Sequence, residues 1–211
     1  MRVYEIYTSL QGETQYAGLP CTLVRFAACD LRCGYCDTGY AFVGGSDRSI
    51  DDIVAEVKER GVRLVLLTGG EPMLQRDLAA LSNRLLGLGF AVMLETSGAH
   101  DVAVVPREVI KIVDVKTPGS GEAGRNLWQN LSLLENKDAV KFVLCGEQDY
   151  RFALEVIQRH ELARRTQVLL SPAWGRLDPR DLAAWMLRDR VDARLNLQIH
   201  KYVWGPDARQ V

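Results

Sequence analysis

Cys29-Asp30-Leu31-Arg32-Cys33-Gly34-Tyr35-Cys36 places three thiols within eight residues, spaced C-x3-C-x2-C, directly after the apolar run Cys21 to Ala28. Thiolates on so short a loop can face one small object. They cannot complete the four-ligand shell of a structural zinc ion. A cubane iron–sulfur cluster has four irons, so three cysteines leave one iron open to a small chelating ligand. Two other readings share the stretch. Cys33-Gly34-Tyr35-Cys36 is also a C-x-x-C pair, fit for a redox dithiol or half a zinc site. The dithiol leaves Cys29 unexplained, and the zinc site needs a fourth ligand from distant Cys145 or His100. Cys21 and Cys145 lie in apolar segments and read as core thiols.

The 211 residues amount to one large domain, a single unit over 1–211 with a substantial core. A formal net charge of −1 gives no electrostatic case for nucleic acid, and no basic stripe is interleaved with aromatics. Five cysteines, three of them clustered, argue against a disulfide framework and for a reducing compartment. Met1 to Leu10 has no apolar leader core and no run approaches a membrane span, so a cytoplasmic protein is expected.

Outward from the thiols, apolar strands alternate with helices. A Ser49/Asp52 capping box opens a helix ending near Gly61. Strands are expected at 62–67, 91–94, 110–113, 139–144, 167–170 and 195–199. Further helices are expected at 74–86, 127–134, 149–163 and from Pro179, with Asp178 as its cap. Alternation of this kind implies a parallel sheet with right-handed crossovers. The unusual residues fall where strands end: the thiol loop, Thr68-Gly69-Gly70-Glu71-Pro72, Glu95-Thr96-Ser97-Gly98, Asp114-Val115-Lys116 and Ser171-Pro172-Ala173-Trp174. In parallel α/β folds such ends share the face that holds the active site.

The thiol spacing, with Tyr35 before the last cysteine, resembles the signature of the radical S-adenosylmethionine (SAM) superfamily, and Gly69-Gly70-Glu71 matches its second motif. The resemblance implies an incomplete barrel of about six parallel strands with helices outside. It also implies a [4Fe-4S] cluster on Cys29, Cys33 and Cys36, whose open iron chelates SAM and whose electron yields a 5′-deoxyadenosyl radical. Contacts to SAM then fall to Tyr35, Cys36, Asp37, Gly70, Ser97, Asp114, Val115, Lys116, Ser171, Pro172, Ala173 and Trp174.

Further pieces narrow it: Ser9-Leu10-Gln11-Gly12-Glu13, Arg25, Asp37-Thr38 and Gln198-Ile199-His200-Lys201-Tyr202. Together with the short length they resemble the 7-carboxy-7-deazaguanine synthase family, carbon–nitrogen lyases of queuosine and 7-deazapurine biosynthesis. That resemblance implies ring contraction of 6-carboxytetrahydropterin with loss of ammonia, SAM being regenerated and Mg2+ assisting. It implies Leu10, Gln11, Gly12, Glu13 and Thr68 against the pterin, Arg25 on its carboxylate and Thr38 on magnesium. A planar guanidinium suits bidentate carboxylate binding. It also implies an external flavodoxin- or ferredoxin-like electron donor and a homodimer. Two alternatives stay open on the residues alone: a small radical SAM activase acting on a protein partner, and a non-catalytic zinc or iron–sulfur protein.

Overall fold

A computed structural model describes every residue, Met1–Val211. The chain opens with β1 (Arg2–Leu10) and β2 (Pro20–Phe26), an antiparallel hairpin, and the short β3 (Ser46–Asp47) joins the outer edge of β1. Next come α1 (Ile50–Arg60), β4 (Leu64–Gly69), α2 (Leu78–Gly87), β5 (Ala91–Thr96) and β6 (Ile110–Asp114). The rest holds β7 (Ala139–Leu144), α3 (Glu147–Arg159), β8 (Gln167–Pro172), α4 (Pro179–Asp189), β9 (Arg194–Leu195) and α5 (Ile199–Trp204). One nine-stranded sheet results, ordered β3-β1-β2-β4-β5-β6-β7-β8-β9, and it does not close. Every pairing from β2 onward is parallel. The six longer parallel strands, β2 and β4 to β8, form the incomplete barrel expected from the sequence.

Local chemistry accounts for the helix ends. Ser49 Oγ accepts from Asp52 N at 3.1 Å while the Asp52 carboxylate accepts from Ser49 N at 3.2 Å, the reciprocal box that opens α1. Asp178 accepts from Arg180 N at 2.8 Å, with Pro179 at the first helical position of α4. Three expectations shift. Residues 127–134 form a 3-10 turn, Trp128–Leu133, whose Leu127 start has no capping side chain. Pro72–Leu74 is likewise a 3-10 turn, capped by Glu71, so α2 begins later than expected. The last strand stops at Leu195, because Ile199 N turns away to donate to the Gly12 carbonyl at 2.8 Å and α5 starts there. β1, antiparallel to β2 and outside the parallel alternation, is not among the strands expected from the sequence.

Strand side chains alternate between the two faces of the sheet. Outward, Val24, Phe26, Val65, Leu67, Val92 and Leu94 pack under α1 and α2. Val140, Phe142, Leu144, Val168 and Leu170 pack with Tyr150 of α3 and Leu182 of α4. Inward, Leu23, Leu66, Met93, Ile112, Ala139 and Leu169 make a separate apolar layer. Each fully buried aliphatic contributes roughly 1.5–3 kcal/mol. The β1–β2 connection lies across this inner face. Thr14 N donates to Asn196 Oδ1 at 2.7 Å and Gln15 Nε2 donates to the Lys137 carbonyl at 3.1 Å. A loop leaving the first strands thus reaches the last ones, which requires the sheet to curl around it.

Candidate active site

Continuing the inward positions toward the strand ends changes the chemistry. Two residues beyond Leu23, Leu66, Met93, Ile112, Ala139 and Leu169 come Arg25, Thr68, Glu95, Asp114, Lys141 and Ser171. The register sets Arg25 beside Thr68 and Asp114 beside Lys141. The pleat that makes the apolar layer therefore makes a polar belt above it. Lys141 Nζ lies 3.1 Å from Glu13 and 3.4 Å from Asp114, and it also bonds Glu95. Lys116 Nζ pairs with Asp114 at 2.8 Å. Burial pulls the Lys141 pKa down, but Asp114, Glu13 and Glu95 hold it well above the ordinary lysine value. Glu95 is displaced upward by burial, with Glu13 and Asp114 adding to the effect against Lys141. Three acids thus share two ammonium groups, and burial pushes Glu95 toward its neutral form.

The thiol loop caps one end of this belt. All three of its cysteines are free, Cys29 and Cys33 half-buried and Cys36 exposed. Burial, with the charges of neighbouring groups, raises each thiol above its ordinary value, and Cys36 adds to the rise at both Cys29 and Cys33. No three His, Cys, Asp or Glu side chains converge closely enough to grip a single metal ion. The donor set fits a larger object: three sulfurs on one loop, spread beyond one ion's shell, suit separate corners of a cubane cluster. Close backbone packing seats the loop. Gly70 N donates to Phe26 O at 3.0 Å and Glu71 N to Ala28 O at 2.7 Å. A Cβ at Gly70 would stand 2.0 Å from the Ala28 carbonyl, so glycine is required there by the chain's own packing. Glu71, fully buried, accepts from Thr96 Oγ1 and Ser97 N, both at 2.7 Å, and from Met73 N at 2.9 Å. The Gly-Gly-Glu stretch therefore ties the ends of β4 and β5 to the loop.

From the other side the Leu10–Thr14 turn enters. Leu10 itself pairs with Pro20, at the opposite end of β2 from the thiols and roughly 20 Å away at the strand rise. The chain then doubles back. Gln11 is buried beside Met93, Gly12 packs so tightly that a Cβ would meet the His200 ring, and Glu13 reaches Lys141. Gln198 Nε2 donates to Glu13 at 2.9 Å and to Asp37 at 3.2 Å, and Lys201 Nζ donates to Asp37 at 2.6 Å. Crowding by neighbouring atoms pushes the Asp37 pKa up, but Lys201, Thr38 and Gln198 hold it well below the usual carboxylate range, with the side chain still 45% exposed. The segment around α5 thus joins the Leu-Gln-Gly-Glu turn to the residue following the last cysteine.

The other expected residues distribute as follows. Thr38 Oγ1 donates to Asp37 at 2.9 Å and caps no helix, so its oxygen lone pairs stay available. Tyr35 buries a hydroxyl with no hydrogen-bond partner, in the field of Lys116 and Asp114. Val115 is a core side chain that offers only backbone, its N–H donating to Lys141 O at 2.8 Å. Ser171 Oγ accepts from Asn196 at 2.7 Å, Pro172 ends β8, and Ala173 N donates to Leu144 O at 2.9 Å. Trp174, 42% exposed, meets Tyr202 edge-on at 5.2 Å. With Pro172 and Gln198 these rings line a cavity of about 430 Å³. Arg25 donates through Nε to Glu5 at 2.8 Å and through Nη2 to Tyr7 Oη at 3.3 Å. Its Nη1 has no protein partner. Sequence reasoning missed Lys141, Glu5 and the Lys201–Asp37 pair. A lone charge at an inward strand position, the pattern noticed at Arg25, is repeated at Lys141.

An open parallel barrel with a three-thiol loop after its first parallel strand defines a radical SAM protein, and the radical SAM superfamily model matches residues 23–117. A 7-carboxy-7-deazaguanine synthase of Koribacter versatilis is 45% identical over 226 aligned positions covering 100% of both chains. One of Chlorobaculum tepidum is 41% identical, covering 100% of this chain and 97% of that protein. The chain belongs to the 7-carboxy-7-deazaguanine synthase family. Its fold is shared with the crystal structure of QueE from Escherichia coli, at TM-score 0.76 and 24% identity over 93% of this chain and 92% of that one. No helix is long and apolar enough to cross a membrane.

Proposed function

We propose that this chain is a radical SAM carbon–nitrogen lyase that contracts 6-carboxytetrahydropterin to 7-carboxy-7-deazaguanine with loss of ammonia. One observation carries the reading beyond family membership. The polar belt is enclosed between the thiol loop and the Leu10–Glu13 turn, and Gln198 bonds both Glu13 and Asp37, so the two form one hydrogen-bonded assembly. Such an enclosure suits a small polar heterocycle rather than a docked protein loop, which speaks against an activase.

The [4Fe-4S] cluster with SAM supplies, when bound, the radical that abstracts a substrate hydrogen. Cys29, Cys33 and Cys36 hold the cluster. Tyr35, Cys36, Asp37, Gly70, Ser97, Asp114, Val115, Lys116 and the Ser171–Trp174 stretch serve the SAM side; Gly70 and Val115 do so through backbone only. Gln11, Gly12, Glu13 and Thr68 face the pterin, with Leu10 marking where the turn begins, and Arg25 offers its free Nη1 edge to the carboxylate. Thr38, beside the Asp37 carboxylate, offers a hydroxyl to Mg2+, whose hard oxygen preference it matches. The belt holds charge in place and limits water around the reacting ring. We further assign a flavodoxin- or ferredoxin-like reductant, a homodimeric assembly, a cytoplasmic location and a single domain over 1–211. An anaerobic assay with SAM, reductant and 6-carboxytetrahydropterin tests the reading: deazaguanine product and ammonia are expected, and SAM cleavage with the pterin unchanged would overturn it.

A further inference from the structure

Arg25 is not a free cation. A register shift between Val3 and Glu5 on β1 sets Glu5 directly across from it. Glu5 is 8% exposed and both its oxygens are engaged: Oε1 by Arg25 Nε and by Tyr40 Oη at 3.1 Å, Oε2 by Gln210 Nε2 at 2.9 Å. The Arg25 charge is therefore already matched by a buried carboxylate. A ligand carboxylate arriving at Nη1 would be a second anion beside Glu5, with one guanidinium to serve both.

A second guanidinium is at hand. Residues 209–211 fold back along β1, where Ser9 Oγ bonds the Val211 carbonyl and Gln210 holds Glu5. This lays Arg209 over the Tyr40 ring, Cζ 4.2 Å from its centroid, while Arg25 Cζ stands 5.9 Å from the same ring. Arg209 itself has no carboxylate partner in the chain. We propose that Arg209 is a specificity-determining residue for the substrate carboxylate, supplying at the Arg25–Glu5–Tyr40 cluster the positive charge that Glu5 offsets. The tail from Arg209 to Val211 is then part of the substrate site rather than a loose end. The inference rests on the reading of Arg25 as the carboxylate-binding residue.

The test compares two ligands on the cluster-reconstituted, SAM-bound protein under anaerobic conditions: 6-carboxytetrahydropterin and a tetrahydropterin lacking the carboxylate. Arg209→Gln is expected to raise the Kd of the carboxylated ligand about five- to tenfold, as loss of one partly solvated charge contact does, and to leave the other ligand unchanged. Arg209→Lys should restore most of the difference, and added salt should shrink it. The cluster absorbance should be the same in all three proteins, since Arg209 is exposed and lies on the Tyr40 ring without bonding any of the three cysteines. An unchanged Kd for the carboxylated ligand, or equal weakening of both ligands, overturns the proposal. Arg25→Ala separates the two failures. If it loses the preference for the carboxylated ligand and Arg209→Gln does not, only the role of Arg209 falls. If the wild-type protein shows no such preference, the carboxylate reading and this inference fall together.

Discussion

Two layers of the same strands, one pleat step apart, do opposite things. Leu23, Leu66, Met93, Ile112 and Leu169 form an apolar floor whose contribution is hydrophobic and direction-free. Arg25, Glu95, Asp114 and Lys141 form a charged belt in which each ion is held by a named partner. The floor tolerates small changes of shape. The belt does not tolerate loss of one member, because an ion left without its partner in a buried site keeps its desolvation penalty. The lesson is where conformational precision resides in this molecule: the floor makes the barrel stand, and the belt fixes where a ligand's atoms can go.

That contrast can be broken most severely at Lys141. Lys141→Met should destabilise the fold by about 3–5 kcal/mol, read by denaturant unfolding, since Glu13, Glu95 and Asp114 would be left with Lys116 alone. Adding Glu95→Gln should recover part of that loss, and an equally large loss in the double variant would mean that Lys141 acts by packing alone. Arg25→Ala should weaken binding of 6-carboxytetrahydropterin by about 2–5 kcal/mol while cluster absorbance persists. In the floor, Ile112→Val should cost only about 0.5–1.5 kcal/mol of stability and leave ligand affinity untouched. A change in affinity there would erase the distinction between the layers.

The smallest effect concerns acid. His200 packs on Gly12 at the turn entering the belt, and burial lowers its pKa below the ordinary histidine value. A lowered folded-state pKa favours the neutral ring, so the stability it contributes is complete above about pH 6.5 and is lost as pH falls through the folded value. The wild-type melting temperature should therefore drop more steeply as pH falls below about 6.5 than that of His200→Gln. Parallel curves would remove His200 from the pH response.

Much of this was legible in the chain itself. The thiol spacing and the Gly-Gly-Glu stretch are local patterns, and local patterns survive without coordinates. The apolar strands and the caps at Ser49 and Asp178 were legible for the same reason. What stayed hidden depends on register and on distant partners. Lys141 sits in an otherwise apolar strand, and only the pairing of Asp114 with Lys141 shows that it faces three carboxylates. Glu5 becomes meaningful only because the strand shifts register before it. From the sequence Gly70 reads as a ligand-facing glycine, and the structure adds a reason from the chain's own packing, the Ala28 carbonyl. The 127–134 segment has helical composition but no capping group, and tertiary contacts left it as a tight turn.

The bond from Lys201 to Asp37 spans 164 positions of sequence. On a ribosome adding roughly 5–20 residues per second, on the order of ten seconds or more separates the birth of the thiol loop from that of the lysine that anchors it. During that interval the hydrogen bonds from Gln198 and Lys201 that brace the loop do not exist. Until then the loop rests on contacts made by earlier segments, among them Gly70 N to Phe26 O and Glu71 N to Ala28 O.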